Sequence, residues 1–539
     1  MFTKRLQGAP KEILNWRLWY MVFAFGLMGA SRGIDEGLTG TTASLPSFSR
    51  LFKLKDPSKT EQQQADELSN ITSMVQMGSI LGALVGFYLT DKLGRLWATR
   101  ELCIVWIVGI AMYLSSAANG SLGLLYAGRF IAGIGIGQTV VVGPTYLAEI
   151  APRYFRGLCV CFFSGSVYFG TMLAYFAAYG SSIHISGNTQ LQWVVPTLLH
   201  IYVAVTIIIL SFGCVESPRW LLKVGKPEKA AICLSKIRHL PVDHPFLLDE
   251  LRGVTEELER EREATMGTTW FAPLRELVMI PANRYRLMLS VMTQLFSQWS
   301  GANSITIYAV EYFDMVGISG SQEKLFATAI FGLVKFISAT GCAFFLIDFI
   351  GRKRSLLFGA SLQFIAMLYM AIFLTIDSSA GDEGAVQSAS DKHAATGAIV
   401  MIYLSGFGFA LGWNSCQYLV NAEIYPLRLR AIGASFAMTF HFVNQYGNSK
   451  AVPSMFLALS NNGTMFFFAA VIILGMAWAW FFLPELAGMS LESINAVFDL
   501  PWWQIGRRGR KFAEELEEER REERDEKGAV VTVERIEKD

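Results

Sequence analysis

The sequence predicts an all-α membrane protein whose twelve transmembrane helices form two pseudo-symmetric six-helix bundles. Three observations lead there: long apolar runs without a polar stripe, Lys and Arg concentrated in alternate loops, and short motifs that recur in both halves. Hydrophobic residues make up 52% of the 539 residues, a fraction that water-soluble chains approach. Clumping decides the class. Runs such as IYVAVTIIILSFGCV (201–215), FFFAAVIILGMAWAWFFL (466–483) and CIVWIVGIAMYLSSAANG (103–120) lack the polar positions that a soluble helix shows every three or four residues. Each is close to the ~20 residues needed to cross a hydrocarbon layer of about 30 Å.

Taken in order, a polar leader (1–16) precedes a first segment at 17–41, whose outer half carries charges; it does not read as a cleaved signal peptide. Five more segments follow at 69–90, 101–118, 122–144, 157–180 and 194–216. A linker of soluble composition, 217–286, reads as short amphipathic helices. The second six segments fall at 287–312, 324–347, 355–376, 396–420, 431–456 and 465–484, before a charged tail at 485–539 that includes EELEEERREERDEK (514–527), a solvated helix or a disordered stretch. Domains of 17–216 and 287–484 are therefore expected.

The net charge of +1 says nothing about partners, but its distribution does. The loops after the second, fourth, eighth and tenth segments hold Lys92, Arg95, Arg100, Arg153, Arg156, Arg352, Lys353, Arg354, Arg428 and Arg430. The positive-inside rule makes that end cytoplasmic, together with both termini and the linker; it is called the inner end below. Arg50, Lys53, Lys55 and Lys59 in the 42–68 loop run against the pattern. The seven cysteines lie in or beside the segments or on the inner side, so no disulfide framework is expected. Sequons begin at Asn70, Asn119 and Asn462 on the outer side.

The repeat is short but ordered. DKLGR (Asp91 to Arg95) follows the second segment, and DFIGR (Asp348 to Arg352) follows the eighth. AEIAPRYFR, with Glu149 and Arg156, ends the fourth, and AEIYPLRLR, with Glu423 and Arg430, ends the tenth. Two parallel repeats of six helices suggest bundles that rock around a midplane site. The eight charges at these inner helix ends are expected to make gating ion pairs between bundles; their alternative role is to anchor loops at the headgroups.

At these motifs the chain resembles the sugar porter family of the major facilitator superfamily, over essentially all of 15–490. The resemblance rests on GFYLTDKLGR (86–95), GRFIAGIGIG (128–137), AEIAPRYFRG (148–157), VESPRWLL (215–222), IDFIGRKR (347–354), AEIYPLRLRA (422–431) and LPELAG (483–488), the last departing from the family's Pro-Glu-Thr-x-Gly. It implies the major facilitator fold and transport of monosaccharides or related polyols and acids. GIDEG (33–37), QWSGAN (298–303) and HFVNQYG (441–447) look like a filamentous-fungal branch that includes uronic-acid porters.

Read on its own, the first segment is unusual: MVFAFGLMGA runs straight into Ser31, Arg32, Gly33, Ile34, Asp35 and Glu36. A charge at the bilayer centre costs at least ~2.5–3.5 kcal/mol on insertion scales, so it has a partner or a task. Arg129 in the fourth segment is the partner expected for Asp35, and the resemblance implies that this pair is the proton-coupling site; a fixed structural pair is the alternative. A dry sugar site must offer each hydroxyl a donor and an acceptor, which amides supply. By resemblance, Gln298 and Asn303 match two sugar-binding amides, and Tyr418 stands where Trp is common. Departures from the hexose pattern are Ser297 and Ser164 for glutamines, Asn414, Ser415 and Gln417 in the tenth segment, His441 for a glutamine, and Arg32 for an aromatic; Gln445 belongs to the same stretch as His441. These departures add cationic groups. Either Arg32, helped by His441 or Lys450, holds a substrate carboxylate, or Arg32 pairs with Asp35 or Glu36 at helical spacing, His441 stays neutral and Lys450 snorkels outward.

The expected function is thus a proton-coupled symporter of a sugar or sugar acid, galacturonate for example, in the plasma membrane and working as a monomer among lipids. A neutral sugar, polyol or quinate-type permease and a nutrient sensor are the alternatives. Protons are the coupling ion. No cofactor, metal or nucleic acid is expected. No HExxH, GxSxG, Walker or CxxC motif points to an enzyme, and Gly133, Gly135 and Gly137 lack the strand context of a dinucleotide site and read as helix-packing positions.

Overall fold

The structure, a computed structural model, describes residues 13–152, 156–265, 272–342, 351–376, 389–414, 416–417, 424–485, 494, 496–516 and 518. The first span is two abutting helices, α1 (Trp16–Gly26) and α2 (Met28–Ser44), with the Asn15 side chain capping α1 by accepting the Leu18 N–H. A short α3 (Pro46–Leu51) crosses the outer loop. Five long helices complete the first half: α4 (Glu61–Leu93), α5 (Arg95–Ser115), α6 (Leu122–Ile150), α7 (Arg156–His184) and α8 (Leu191–Phe212). The linker holds α9 (Pro218–Lys223), α10 (Pro227–Arg238), α11 (Pro245–Thr265) and α12 (Ala272–Met279).

In the second half the seventh span comes in three pieces, α13 (Pro281–Trp299), α14 (Ala302–Ile307) and α15 (Ala309–Met315). Then follow α16 (Ser321–Gly341), α17 (Arg352–Ile376), α18 (Ala389–Phe409) with a π-helical turn over Ala410–Asn414, and α19 (Leu427–Phe482). The last carries two spans joined at Ser460, where φ is 61°. Among the described residues, nine helices are long and apolar enough to cross a membrane. With α19 counted as two spans, and the segmented first and seventh spans added, the twelve predicted segments are accounted for.

Boundaries moved where hydropathy and helix end are different things. The spacing predicts a second span from 69, yet α4 starts at Glu61, because Thr60 and Gln63 form a capping box in polar sequence outside the apolar run. Two apolar cores, one in each half, meet where Tyr175 of the first half joins the second core, and where Val310, Leu325, Met438 and Phe442 of the second half join the first. In α6, Gly133 and Gly137 lie against the backbone of Val75 and Ser79 in α4, and Gly135 lies against Leu102 and Trp106 in α5.

The sequence repeat is also a geometric one. Gly94 and Gly351, the glycines of DKLGR and DFIGR, have φ of 87° and 92°, a left-handed conformation that glycine adopts without a Cβ penalty. Each turns the chain into a helix whose first amides meet a carboxylate from the end of its own half. Glu216 accepts from the Arg95 and Leu96 N–H groups at 3.0 and 3.2 Å. Glu485 accepts from Arg352 and Lys353 at 2.9 and 3.0 Å. A negative charge there complements the helix N-terminus. Burial nevertheless pushes the Glu216 carboxyl above its ordinary range, against the pull of those N–H donors.

Candidate solute site

A small enclosed cavity between the halves, of about 20 Å³, is lined by Arg32, Glu36, Val167, Tyr168, Gln298, Asn303, Thr306, Lys335, Phe409, Asn414 and Gln417. Two of its walls carry charge. On α2, Arg32 and Glu36 stand one turn apart with Nε to Oε1 at 2.7 Å, and the Arg32 guanidinium lies 5.7 Å from the Phe442 ring. On α16, Lys335 enters from the opposite half, 3% exposed. Its ammonium donates to Thr306 Oγ1 at 2.6 Å and sits 5.0, 5.5 and 5.8 Å from the rings of Tyr168, Phe331 and Phe409. Each such ring contact is worth ~0.5–2 kcal/mol. Among the described residues no carboxylate comes within ion-pair distance of this lysine.

Asp35 points from the same helix toward α6. Its Oδ1 lies 3.4 Å from Arg129 Nη2, which also donates to Thr39 Oγ1 at 2.6 Å. Both side chains are buried. The guanidinium lies 5.6 Å from the Tyr113 ring. The two expected coupling residues are therefore brought together, one residue along the chain from Glu36 and the cavity.

The seventh span delivers the amides. Gly301, with φ of 85°, interrupts it, and Gln363 Nε2 donates to the freed Ser300 carbonyl at 2.9 Å. Past the break, Asn303 faces the cavity. Gln298 Nε2 contacts His441 Nδ1 at 3.2 Å, and His441 Nδ1 pairs with Gln294 Oε1 at 2.8 Å. Among the described residues nothing partners the buried Gln298 Oε1 or Asn303 Nδ2, an acceptor and a donor left open on the cavity wall. Gln445 Nε2, from α19, bridges to Glu36 Oε1 at 2.8 Å and Asn303 Oδ1 at 3.2 Å. Ser297 donates to Gln417 Oε1 at 3.0 Å, and Asn414 donates across the halves to Ser164 Oγ at 3.3 Å. Ser164 and Ser297 thus stand behind the wall and hold Asn414 and Gln417, which line it.

Two cationic candidates lie elsewhere. His441 is fully buried between the Gln294 and Gln298 amides of α13, behind Gln298 rather than on the wall. Lys450, near the outer end, donates to Asn70 Oδ1 at 2.5 Å and Ser69 Oγ at 3.0 Å, so it closes the outer side instead of reaching the solute. Tyr308 works beside it: its hydroxyl bonds Thr72 Oγ1 at 2.7 Å and the Ser449 carbonyl at 2.6 Å. Tyr418 lies outside the described residues. Lys335 is the site residue that the sequence reading missed. Its signal was there, a single charge in the middle of FATAIFGLVKFISATG.

At the inner end, Arg95 makes a bidentate pair with Glu149 through Nε at 2.8 Å and Nη2 at 2.6 Å and approaches Asp91 at 3.5 Å. Asp91 also takes Lys223 of α9 at 2.6 Å. These pairs tie elements of the first half to one another and to the linker, not to the second half as expected, because Arg95 opens α5 directly beneath the end of α6. Asp348, Glu423 and the side chains of Arg156 and Arg430 lie outside the described residues. Arg352 opens α17 and its N–H meets Glu485.

Compared with known proteins, residues 21–498 match the family model described as Sugar (and other) transporter. The quinate permease of Emericella nidulans is 30% identical over 496 residues, 92% of this chain and 91% of that protein. A probable quinate permease of Aspergillus flavus is 29% identical over 527 residues, 98% and 96% of the two chains. Among solved structures, the xylose transporter XylE from E. coli in a partially occluded inward open conformation superposes with a TM-score of 0.72 at 20% identity, covering 88% of this chain and all of that one. The same proton:xylose symporter bound to 6-bromo-6-deoxy-D-glucose gives 0.72 at 22% identity, covering 89% and 99%.

Proposed function

Because this chain belongs to the sugar transporter family of the major facilitator superfamily, and is a multi-pass membrane transporter rather than an enzyme, we propose that it carries a polyhydroxylated monocarboxylic acid together with a proton. A hexuronate such as galacturonate is the best single candidate. Quinate, the substrate named in the E. nidulans relative, is of the same chemical class: one carboxylate on a ring of hydroxyls. The single observation that carries this reading is that the enclosed cavity presents two cations, Arg32 and Lys335, against one carboxylate, Glu36. A neutral sugar would leave an uncompensated charge in a site of low dielectric, where Coulomb interactions are several times stronger than in water. A substrate carboxylate between Lys335 and Arg32 completes the balance, while Gln298, Asn303, Asn414 and Gln417 receive its hydroxyls.

Alternating access supplies the mechanism. The outer side is held by Tyr308 and Lys450, and the inner end is the expected release side. Asp35 carries the proton: a rearrangement that separates it from Arg129 favours the neutral acid, and one that restores the pair favours the anion. The loop charges support cytoplasmic placement of both termini, the plasma membrane is the location expected of an uptake carrier, and one chain contains the whole cavity, so a monomer suffices. Competition against labelled galacturonate uptake tests the reading. Quinate and other sugar acids should inhibit, neutral hexoses, pentoses and polyols should be at least ~10-fold weaker, and Lys335→Met should abolish acid uptake while the protein still reaches the membrane. Uptake of a neutral sugar, indifferent to galacturonate and to Lys335→Met, would overturn it.

A further inference from the structure

Glu36 enters that scheme only as a charge to be counted, yet it is the one carboxylate among the described residues that line the cavity. It is held from two sides. Arg32 Nε reaches it at 2.7 Å along its own helix, and Gln445 Nε2 reaches the same oxygen at 2.8 Å from the other half. Gln445 is itself tied to Asn303 Oδ1 at 3.2 Å, so Glu36 cannot swing away without breaking up the amide wall. We infer that Glu36 fixes the cavity for a single carboxylate, so that the carrier accepts polyhydroxylated monocarboxylates and turns away the dicarboxylic acids of the same carbon chain, the aldarates. This rests on the reading of the cavity as an acid site and adds a selectivity rule to it.

The argument is one of charge. Arg32, Lys335 and Glu36 leave the empty cavity with one net positive charge. Among the described residues, Asp35 and Arg129 neutralise each other within the first half while Asp35 is ionised, and His441 lies behind Gln298, bonded to the Gln294 amide. One incoming carboxylate brings the cavity to neutrality. A second finds its countercharge already taken by Glu36 and loses its hydration in an enclosed space, where an unpaired ion is strongly disfavoured. Galacturonate closes to a pyranose ring and galactarate stays open-chain, so the two differ in shape as well as in charge, and it is the Glu36 variants, which leave shape untouched, that isolate the charge. Charge is what the site can read, and repulsion by a fixed like charge is an effective means of rejecting the wrong ligand.

The test is binding of galacturonate and of galactarate, by calorimetry, to the purified full-length carrier and to Glu36→Gln, Glu36→Met and Glu36→Asp. The wild type should bind galactarate at least ~10-fold more weakly than galacturonate. Both uncharged variants should bring the ratio within ~3-fold, chiefly by binding galactarate more tightly. Glu36→Asp, which keeps the charge, should keep the discrimination. A wild type that binds both acids equally overturns the inference and leaves the acid-site reading standing. So does a ratio unmoved in Glu36→Gln and Glu36→Met, since a carboxylate that only braces Arg32 would change protein yield and not selectivity. Failure of the wild type to bind either acid overturns both.

Discussion

Asp35 and Lys335 show how far a single residue can be read. A charge inside an apolar span announces itself, because burying it alone costs at least ~2.5–3.5 kcal/mol. Asp35 came with a partner that could be named from the sequence, and the structure sets Arg129 3.4 Å from it. Among the described residues Lys335 has no acidic partner; what surrounds it is Thr306 and three aromatic rings drawn from α7, α16 and α18. Such a setting arises only when helices from both halves converge. At Arg32 the pair with Glu36 at helical spacing is formed, and the residue also lines the cavity. The coupling role assigned to Asp35 is tested by Asp35→Asn. That variant should lose accumulation against a gradient while substrate exchange across vesicles persists. pH-driven accumulation at the wild-type level would remove Asp35 from the mechanism.

At the scale of elements, apolar runs located the helices, and their ends were set by other forces. A capping box begins α4 in polar sequence, and α19 runs through the expected eleventh and twelfth spans with a kink at Ser460 in place of a loop. The interruption of the seventh span at Gly301 is what turns Asn303 to the cavity and leaves Tyr308 between α14 and α15. Tyr308 makes two hydrogen bonds to α4 and α19, each worth ~0.5–1.5 kcal/mol net, and both hold the outer side closed. Tyr308→Phe should therefore raise the outward-open population several-fold. In a Ser449→Cys background, where the bond to the backbone carbonyl survives the substitution, labelling by a membrane-impermeant maleimide should speed up by that factor. An unchanged labelling rate would mean that the closure lies elsewhere.

For the whole molecule, the coupling and the site charge together give an electrical signature. A sugar carboxyl group titrates near ~3.5, like other α-substituted acids, and so arrives as an anion. One anion entering with one proton moves no net charge, whereas a neutral sugar with one proton moves a positive charge inward, aided by ~2.3 kcal/mol per 100 mV. Uptake of galacturonate into vesicles should then be indifferent to a potassium diffusion potential and accelerate with an imposed proton gradient. Strong stimulation by an inside-negative potential would contradict one-to-one coupling.

The sequence by itself determined the membrane class, the twelve spans, the two-fold repeat and the family. These follow from hydropathy, loop charge and motifs whose causes lie within one span or at its ends. It also marked Arg32, Asp35, Gln298 and Asn303, since polar groups in lipid-length runs must be satisfied inside the protein. Only the tertiary structure decided which of them meet. It placed Lys335 opposite Arg32 across the two halves, withdrew His441 behind the amides of α13, and sent Lys450 to the outer closure. The reason is physical: a site built where two bundles face each other is defined by distances between residues hundreds of positions apart, and those are set by how the helices pack.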